Sequence, residues 1–428
     1  MEHQETKPTN TDGKQVLQLV VDTPVGLGVR TVPAALSLPP DVDQGTGAEL
    51  ATHRAAAMWG LPDFVYRSAI RKVASGQREL GDRLLLVGGR GASVQIKSRE
   101  GAYKDDAGEQ SWLQSRGRKA ARQAKGTVRN LRTQAADLVN GRGRTITVHG
   151  GDYEWLVVVV LDHDHVPTDV IVDCELTGIP SVVLIRRDWE FLFDQLRSAT
   201  AVLDYLFRVA ELPPVPLGEE PVRYYELAAE DLAATPGEVN PAVLALGGDH
   251  LSAPLLPQAP VGSGANQAHL VTRMILEDIA TSTMKEGMTE KNRLTLLSEV
   301  DASLPVSLRE EWGRLLLDML GDVHNAPNGG IKWRWRRVIK PTGTRQLVLG
   351  CATRHDPYVQ TAFMSYVLLR HHEVTQATGL PEESVTLAVL LTPLLQDTRP
   401  WDTQAMRIEG VSRLTAEEIE NYTKLWSV

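Results

Sequence analysis

Apolar and polar positions alternate along the chain in blocks that change period, and these blocks predict the elements. Gln15–Val21 reads as a first short strand, punctuated by Asp41–Gly47. Ala48–Met58 and Phe64–Ala74 have helical composition, with Pro62 between them as a boundary. The pattern then becomes strand-like over Arg83–Val87 and Ala92–Lys97, separated by Gly88, Gly89, Arg90 and Gly91 in the manner of a tight hairpin. Between about Ser111 and Asn140 the apolar residues Ala120, Ala124, Val128, Leu131, Ala135 and Leu138 recur at spacings of four and three, one stripe of a long helix stopped by Gly141 and Gly143. Strands are expected at Thr145–His149, Trp155–Leu161 and Ser181–Ile185, followed by a helix from Asp188 to about Glu211.

Three prolines in Leu212–Leu217 mark a domain edge, and Glu219–Gly264 is mixed, with a Gly/Pro-rich later part expected to be loop. Beyond it, helices are expected around Leu270–Met284, Glu290–Val300, Leu308–Val323 and Tyr358–Gln376, and strands at Lys332–Lys340, Gln346–Thr353 and Val385–Leu391. The organisation predicted is a disordered tail (1–14), an α/β domain (15–216), a linker or irregular segment (217–264) and a C-terminal α/β domain (265–428) for assembly, sensing or target choice.

Composition narrows the class. Apolar residues make up 42% and charged residues 23%, as in ordinary globular proteins. The longest apolar run, Trp155–Leu161, is far short of the ~20 residues of a membrane-spanning helix, and the polar start Met1–Lys14 shows no secretory pattern, so a cytoplasmic protein without a membrane partner is expected. The two cysteines, Cys174 and Cys351, support neither a disulfide framework nor a zinc site. A net charge of −9 argues against nonspecific coating of nucleic acid, but its distribution is uneven. Gln110–Val139 carries seven basic residues and one acidic one, Asp137. Arg118, Arg122, Lys125, Arg129 and Arg132 recur at spacings of four and three on the face opposite the apolar stripe, which suits a phosphate backbone.

The chemistry-bearing segment is Gly76–Arg99, GQRELGDRLLLVGGRGASVQIKSR. If Gly89 and Arg90 are the turn, Asp82 lies across from Lys97, and Gln95 shares their face because side chains alternate along a strand. An Asp82 carboxylate and a Gln95 carbonyl oxygen are hard donors suited to Mg²⁺ or Mn²⁺, and Lys97 is placed to stabilise negative charge or orient water. Glu79, and Glu49 on the upstream helix, are candidates for a further carboxylate. Elsewhere, Asp162-His163-Asp164-His165 reads as a polar loop rather than a metal site, Trp333 and Trp335 as inward-packed strand residues, and a second site at Arg354, His355, Asp356, His371 and His372 is not favoured.

This segment resembles the motif of the PD-(D/E)xK nuclease superfamily in its QxK variant, similar to Mrr-like restriction endonucleases and to nuclease domains of bacterial phage-defence proteins. The match covers roughly Glu49–Val160; Gln95 replaces the usual acidic residue, and no proline precedes Asp82. The resemblance implies a restriction-endonuclease-like mixed sheet flanked by helices. It implies catalytic roles for Asp82, Gln95, Lys97 and Glu79, with Asp82 and Gln95 as metal ligands. It also implies a Mg²⁺-dependent endonuclease acting on DNA ahead of RNA in antiviral defence, as a homo-oligomer or with a defence-system partner. The alternative is a noncatalytic nucleic-acid-binding or scaffold protein that keeps a degenerate nuclease fold.

Overall fold

The computed structural model describes residues 16–23, 26–67, 70–73, 76–79, 83–174, 178–233, 265–325, 330–340, 343–394 and 400–426. They fall into two compact units, one ending at Ala233 and one beginning at Ala265. Both are mixed α/β.

The first unit opens with the antiparallel pair β1 (Leu17–Thr23) and β2 (Gly26–Val32), then helix α1 (Gln44–Gly60), capped by Asp43, whose carboxylate accepts from the Thr46 N–H. The helix expected over Phe64–Ala74 is absent. A 3₁₀ turn at Pro62–Phe64 leads into β3 (Val65–Arg67), and β4 (Ile70–Val73) pairs with β5 (Gly76–Glu79). Aromatic and β-branched residues in this stretch favour extended chain.

The core of the unit is a seven-stranded mixed sheet. Its strands are β3, β6 (Arg83–Val87), β7 (Arg90–Ser98), β8 (Ala136–Asn140), β9 (Thr145–Val148), β10 (Glu154–Asp162) and β11 (Ser181–Ile185). Their order is β11-β10-β7-β6-β3-β8-β9, with β7, β10 and β11 parallel to one another. β10 lies between two parallel neighbours and is covered on both faces, which explains its unbroken apolar run.

The β6–β7 hairpin turns at Gly88 and Gly89, both with positive φ (56° and 86°), so Val87 faces Arg90 and Arg83 faces Val94. The register therefore differs by two residues from that expected with Gly89 and Arg90 in the turn. A two-residue turn of this hand needs positive φ at both positions, which two glycines supply and an arginine resists.

Helix α2 (Asp106–Thr133) crosses from β7 towards β8 and packs Leu113, Ala120, Ala124, Val128 and Leu131 on the sheet. It ends before Asn140, because Ala136–Asn140 pairs as β8 with β9 and β3; Leu138 is a strand residue, fully buried in the same core. The single helix expected over Asp188–Glu211 is two, α3 (Arg186–Leu196) and α4 (Ala199–Ala210). They are split where Arg197 adopts φ 50° and the Ser198 hydroxyl caps α4 by accepting from the Ala201 N–H. The segment left as linker or irregular contains α5 (Glu220–Ala233), which belongs to the first unit and buries Tyr224 and Tyr225 against Phe191; 234–264 lies outside the described residues.

The second unit begins with α6 (Ala265–Thr281), α7 (Glu290–Ser303) and α8 (Val306–His324). A four-stranded sheet follows in the order β12 (Trp333–Ile339), β13 (Arg345–Ala352), β14 (Val385–Pro393), β15 (Trp401–Glu409), with α9 (Pro357–Thr378) joining the parallel pair β13 and β14. α10 (Ala416–Trp426) ends the described chain. Trp335 stacks on Tyr366 of α9 with ring centres 4.2 Å apart, as the inward-packed reading of β12 requires. His371 is buried, with its ring nitrogens 2.9 Å from Thr386 Oγ1 and 2.8 Å from the Gly410 carbonyl, so it serves the packing of α9 on the sheet.

Candidate functional site

Gln95 and Lys97 lie near the C-terminal end of β7, at the middle of the sheet. In the parallel register with β10 they sit beside Val159 and Leu161, and both of those pack in the core beneath α2. Alternation along the strand puts Gln95 and Lys97 on that same face. Gln95 is only 3% exposed. Lys97, two residues on, is half-buried.

Asp82 lies outside the described residues, and Glu79 is the last residue of β5 with its side chain likewise outside them. Glu49 does not join Gln95 and Lys97. It faces Arg83 at 3.7 Å, and Arg83 pairs with Val94, which puts this contact on the α1 side of the sheet, opposite Gln95. One turn further along α1, burial and the charges of Arg83 and Arg67 lower the His53 pKa to about 4, so its ring is neutral at ordinary pH.

Two charged networks at the ends of the parallel strands were not foreseen. In the first, Arg99 donates from Nε and Nη2 to the two oxygens of buried Glu109 on α2, at 2.8 and 3.0 Å. The Lys104 N–H donates to the same carboxylate, and His163 Nε2 lies 2.9 Å from it. Hydrogen bonding by Arg99, the largest influence, holds the Glu109 pKa down to about 2. The His165 N–H donates to His163 Nδ1, which leaves Nε2 as the protonated nitrogen facing Glu109. In the second, buried Asp162 accepts from Ser98 Oγ at 2.8 Å and from Arg186 Nε at 2.6 Å, while Arg186 also pairs with Glu190. Asp162 and His163, the first half of the Asp-His-Asp-His run, are thus spent on an ion pair with Arg186 and a hydrogen bond with Glu109 that tie strand ends to helices. Among the described residues no three His, Cys, Asp or Glu side chains converge as a metal-binding group.

On α2, Arg118, Arg122, Arg129 and Arg132 are exposed and Lys125 is half-buried, all on the face turned from the core. Arg122, Arg129 and Arg132 have no carboxylate within salt-bridge distance among the described residues, so their charge is available to an external anion. No family model matches the chain, and neither curated proteins nor solved structures provide a match.

Proposed function

We propose that this protein is a Mg²⁺- or Mn²⁺-dependent nuclease that hydrolyses phosphodiester bonds of DNA at a site containing Gln95 and Lys97 together with Asp82. The observation that carries the reading is the placement of Gln95, only 3% exposed, two residues before Lys97 on one face of a central strand. Its carbonyl oxygen is a donor type that suits a hard divalent cation, with Asp82 as the anionic ligand. When bound, the cation would polarise a phosphate and lower the pKa of a coordinated water. Lys97 carries the cationic charge that offsets the developing negative charge on phosphate oxygens. The exposed arginines of α2 supply phosphate contacts that position a strand without reading its sequence.

The order of α1, antiparallel hairpin, α2 and parallel β10 agrees with a restriction-endonuclease-like core of the kind implied by the PD-(D/E)xK resemblance, and a role in bacterial defence follows from that resemblance alone. The test is cleavage of plasmid DNA and of single-stranded RNA with Mg²⁺, Mn²⁺ or EDTA. Metal-dependent cutting by the wild type, lost in Asp82→Ala and Lys97→Ala with retained secondary structure, is expected. Absence of cutting by the wild type with every metal would favour the noncatalytic nucleic-acid-binding reading, while cutting that survives Lys97→Ala would place the chemistry elsewhere.

A further inference from the structure

A cavity of about 240 Å³ opens beside β11, the edge strand of the first unit's sheet. Its walls include Ile179, Pro180, Val209 and Leu212, with Ser181, Asp173 and Arg223 as polar members. This is somewhat below the ~300–1,000 Å³ of pockets for drug-sized ligands, enough for one small organic group.

The basic row of α2 runs up to this cavity. Arg118 Nε reaches the Asp173 carbonyl at 3.5 Å. From Arg118 to Arg132 the helix covers about 21 Å, room for several phosphates of an extended strand. A line of cations thus ends at a recess whose lining mixes apolar side chains with hydrogen-bonding groups.

We infer that the cavity receives the terminal nucleotide of a single-stranded nucleic acid whose following phosphates lie along Arg118, Arg122, Arg129 and Arg132. On the nuclease reading proposed above, on which this inference rests, a free end adds affinity and is not a requirement for cleavage. Ile179, Pro180 and Leu212 accept the faces of a base, and Ser181 and Asp173 meet its polar edge. A strand without an end can use the arginine row but cannot fill the recess.

The experiment is equilibrium binding in EDTA by the full-length Lys97→Ala protein, which separates binding from cutting. Its probes are a single-stranded DNA oligonucleotide and the same sequence ligated into a circle. The linear form is expected to bind about tenfold more tightly, the effect of one well-buried group. Leu212→Trp, at a wall position that is 41% exposed, and Ser181→Tyr fill the recess. Each is expected to bring linear DNA to the affinity of the circle while leaving circle binding unchanged, which also reports that the fold is intact. Equal affinities for the two forms without the filling substitutions, or a linear preference that survives both of them, would overturn the inference. A wild type that fails to cut plasmid bears on the nuclease reading alone, because this measurement requires no cleavage.

Discussion

His53 and Asp188 are titratable groups whose shifts run in opposite senses. Burial, then Arg83 and Arg67, lowers His53 from 6.5 to about 4. Between those values the unfolded chain binds the proton better, so the His53 contribution is complete above pH 6.5 and is lost as pH falls towards 4. Burial raises Asp188 from 3.8 to about 6 despite the Arg187 pair. Here the folded state binds the proton better, so stability from this group is complete below pH 3.8 and declines as pH rises to 6. Denaturant unfolding from pH 4 to 7 should therefore show a slope that steepens upward in Asp188→Asn and turns downward in His53→Gln. Asn keeps an acceptor for the Glu220 N–H without a buried charge, so Asp188→Asn should gain on the order of 1–3 kcal/mol at pH 7. Unchanged slopes in both variants would show that neither group is coupled to folding. No sequence pattern marks these two residues, because their surroundings come from α1, β6, α3 and α5, which are distant along the chain. The Gln95-Lys97 spacing, by contrast, is visible in the sequence, since two residues apart on a strand fixes a shared face. What it does not reveal is that Gln95 is only 3% exposed.

Gly350 of β13 and Gly321 of α8 make opposite predictions from the same substitution. A Cβ at Gly350 would lie 2.1 Å from the Trp335 ring, which is already stacked on Tyr366. Gly350→Ala should lose about 1–3 kcal/mol or more by overpacking and change the near-ultraviolet circular dichroism as Trp335 moves. A Cβ at Gly321 meets nothing within 4 Å, and Gly321→Ala should gain up to about 1 kcal/mol of helix propensity. A Gly350→Ala protein as stable as the wild type would mean that β12 does not pack its tryptophans as described. Sequence periodicity located most of the helices and strands, and its failures have local causes. Leu138 continued the helical stripe of α2 by coincidence of spacing, whereas its backbone pairs in β8. The α3–α4 break depends on one left-handed residue, Arg197, although Ser198 carried a capping signal. β15 and α10 were missed because an edge strand and a helix with no buried residue lack the apolar alternation that marks covered elements.

Across the whole molecule, a net charge of −9 opposes binding to nucleic acid, so any such binding must be concentrated where positive charge is dense and unspent. On α2, Arg118, Arg122, Lys125, Arg129 and Arg132 form one face, with few of their charges neutralised by described carboxylates. If all five neutralise phosphates, the logarithm of the binding constant should fall with the logarithm of salt concentration with a slope of about −3.5 for single strands and −4.5 for duplex. Removing one of the exposed arginines, Arg122, Arg129 or Arg132, should reduce that slope by about 0.7–0.9 while weakening all sequences alike. The measurement is a salt titration of anisotropy for wild type and the three alanine variants, in EDTA. A slope that these substitutions leave unchanged would remove α2 from the interface and, with it, the path leading to the β11 cavity. A slope that falls stepwise would make α2 the docking element whatever chemistry Gln95 and Lys97 perform, because phosphate contacts on a helix face and cleavage at a strand end are separable properties of the same unit.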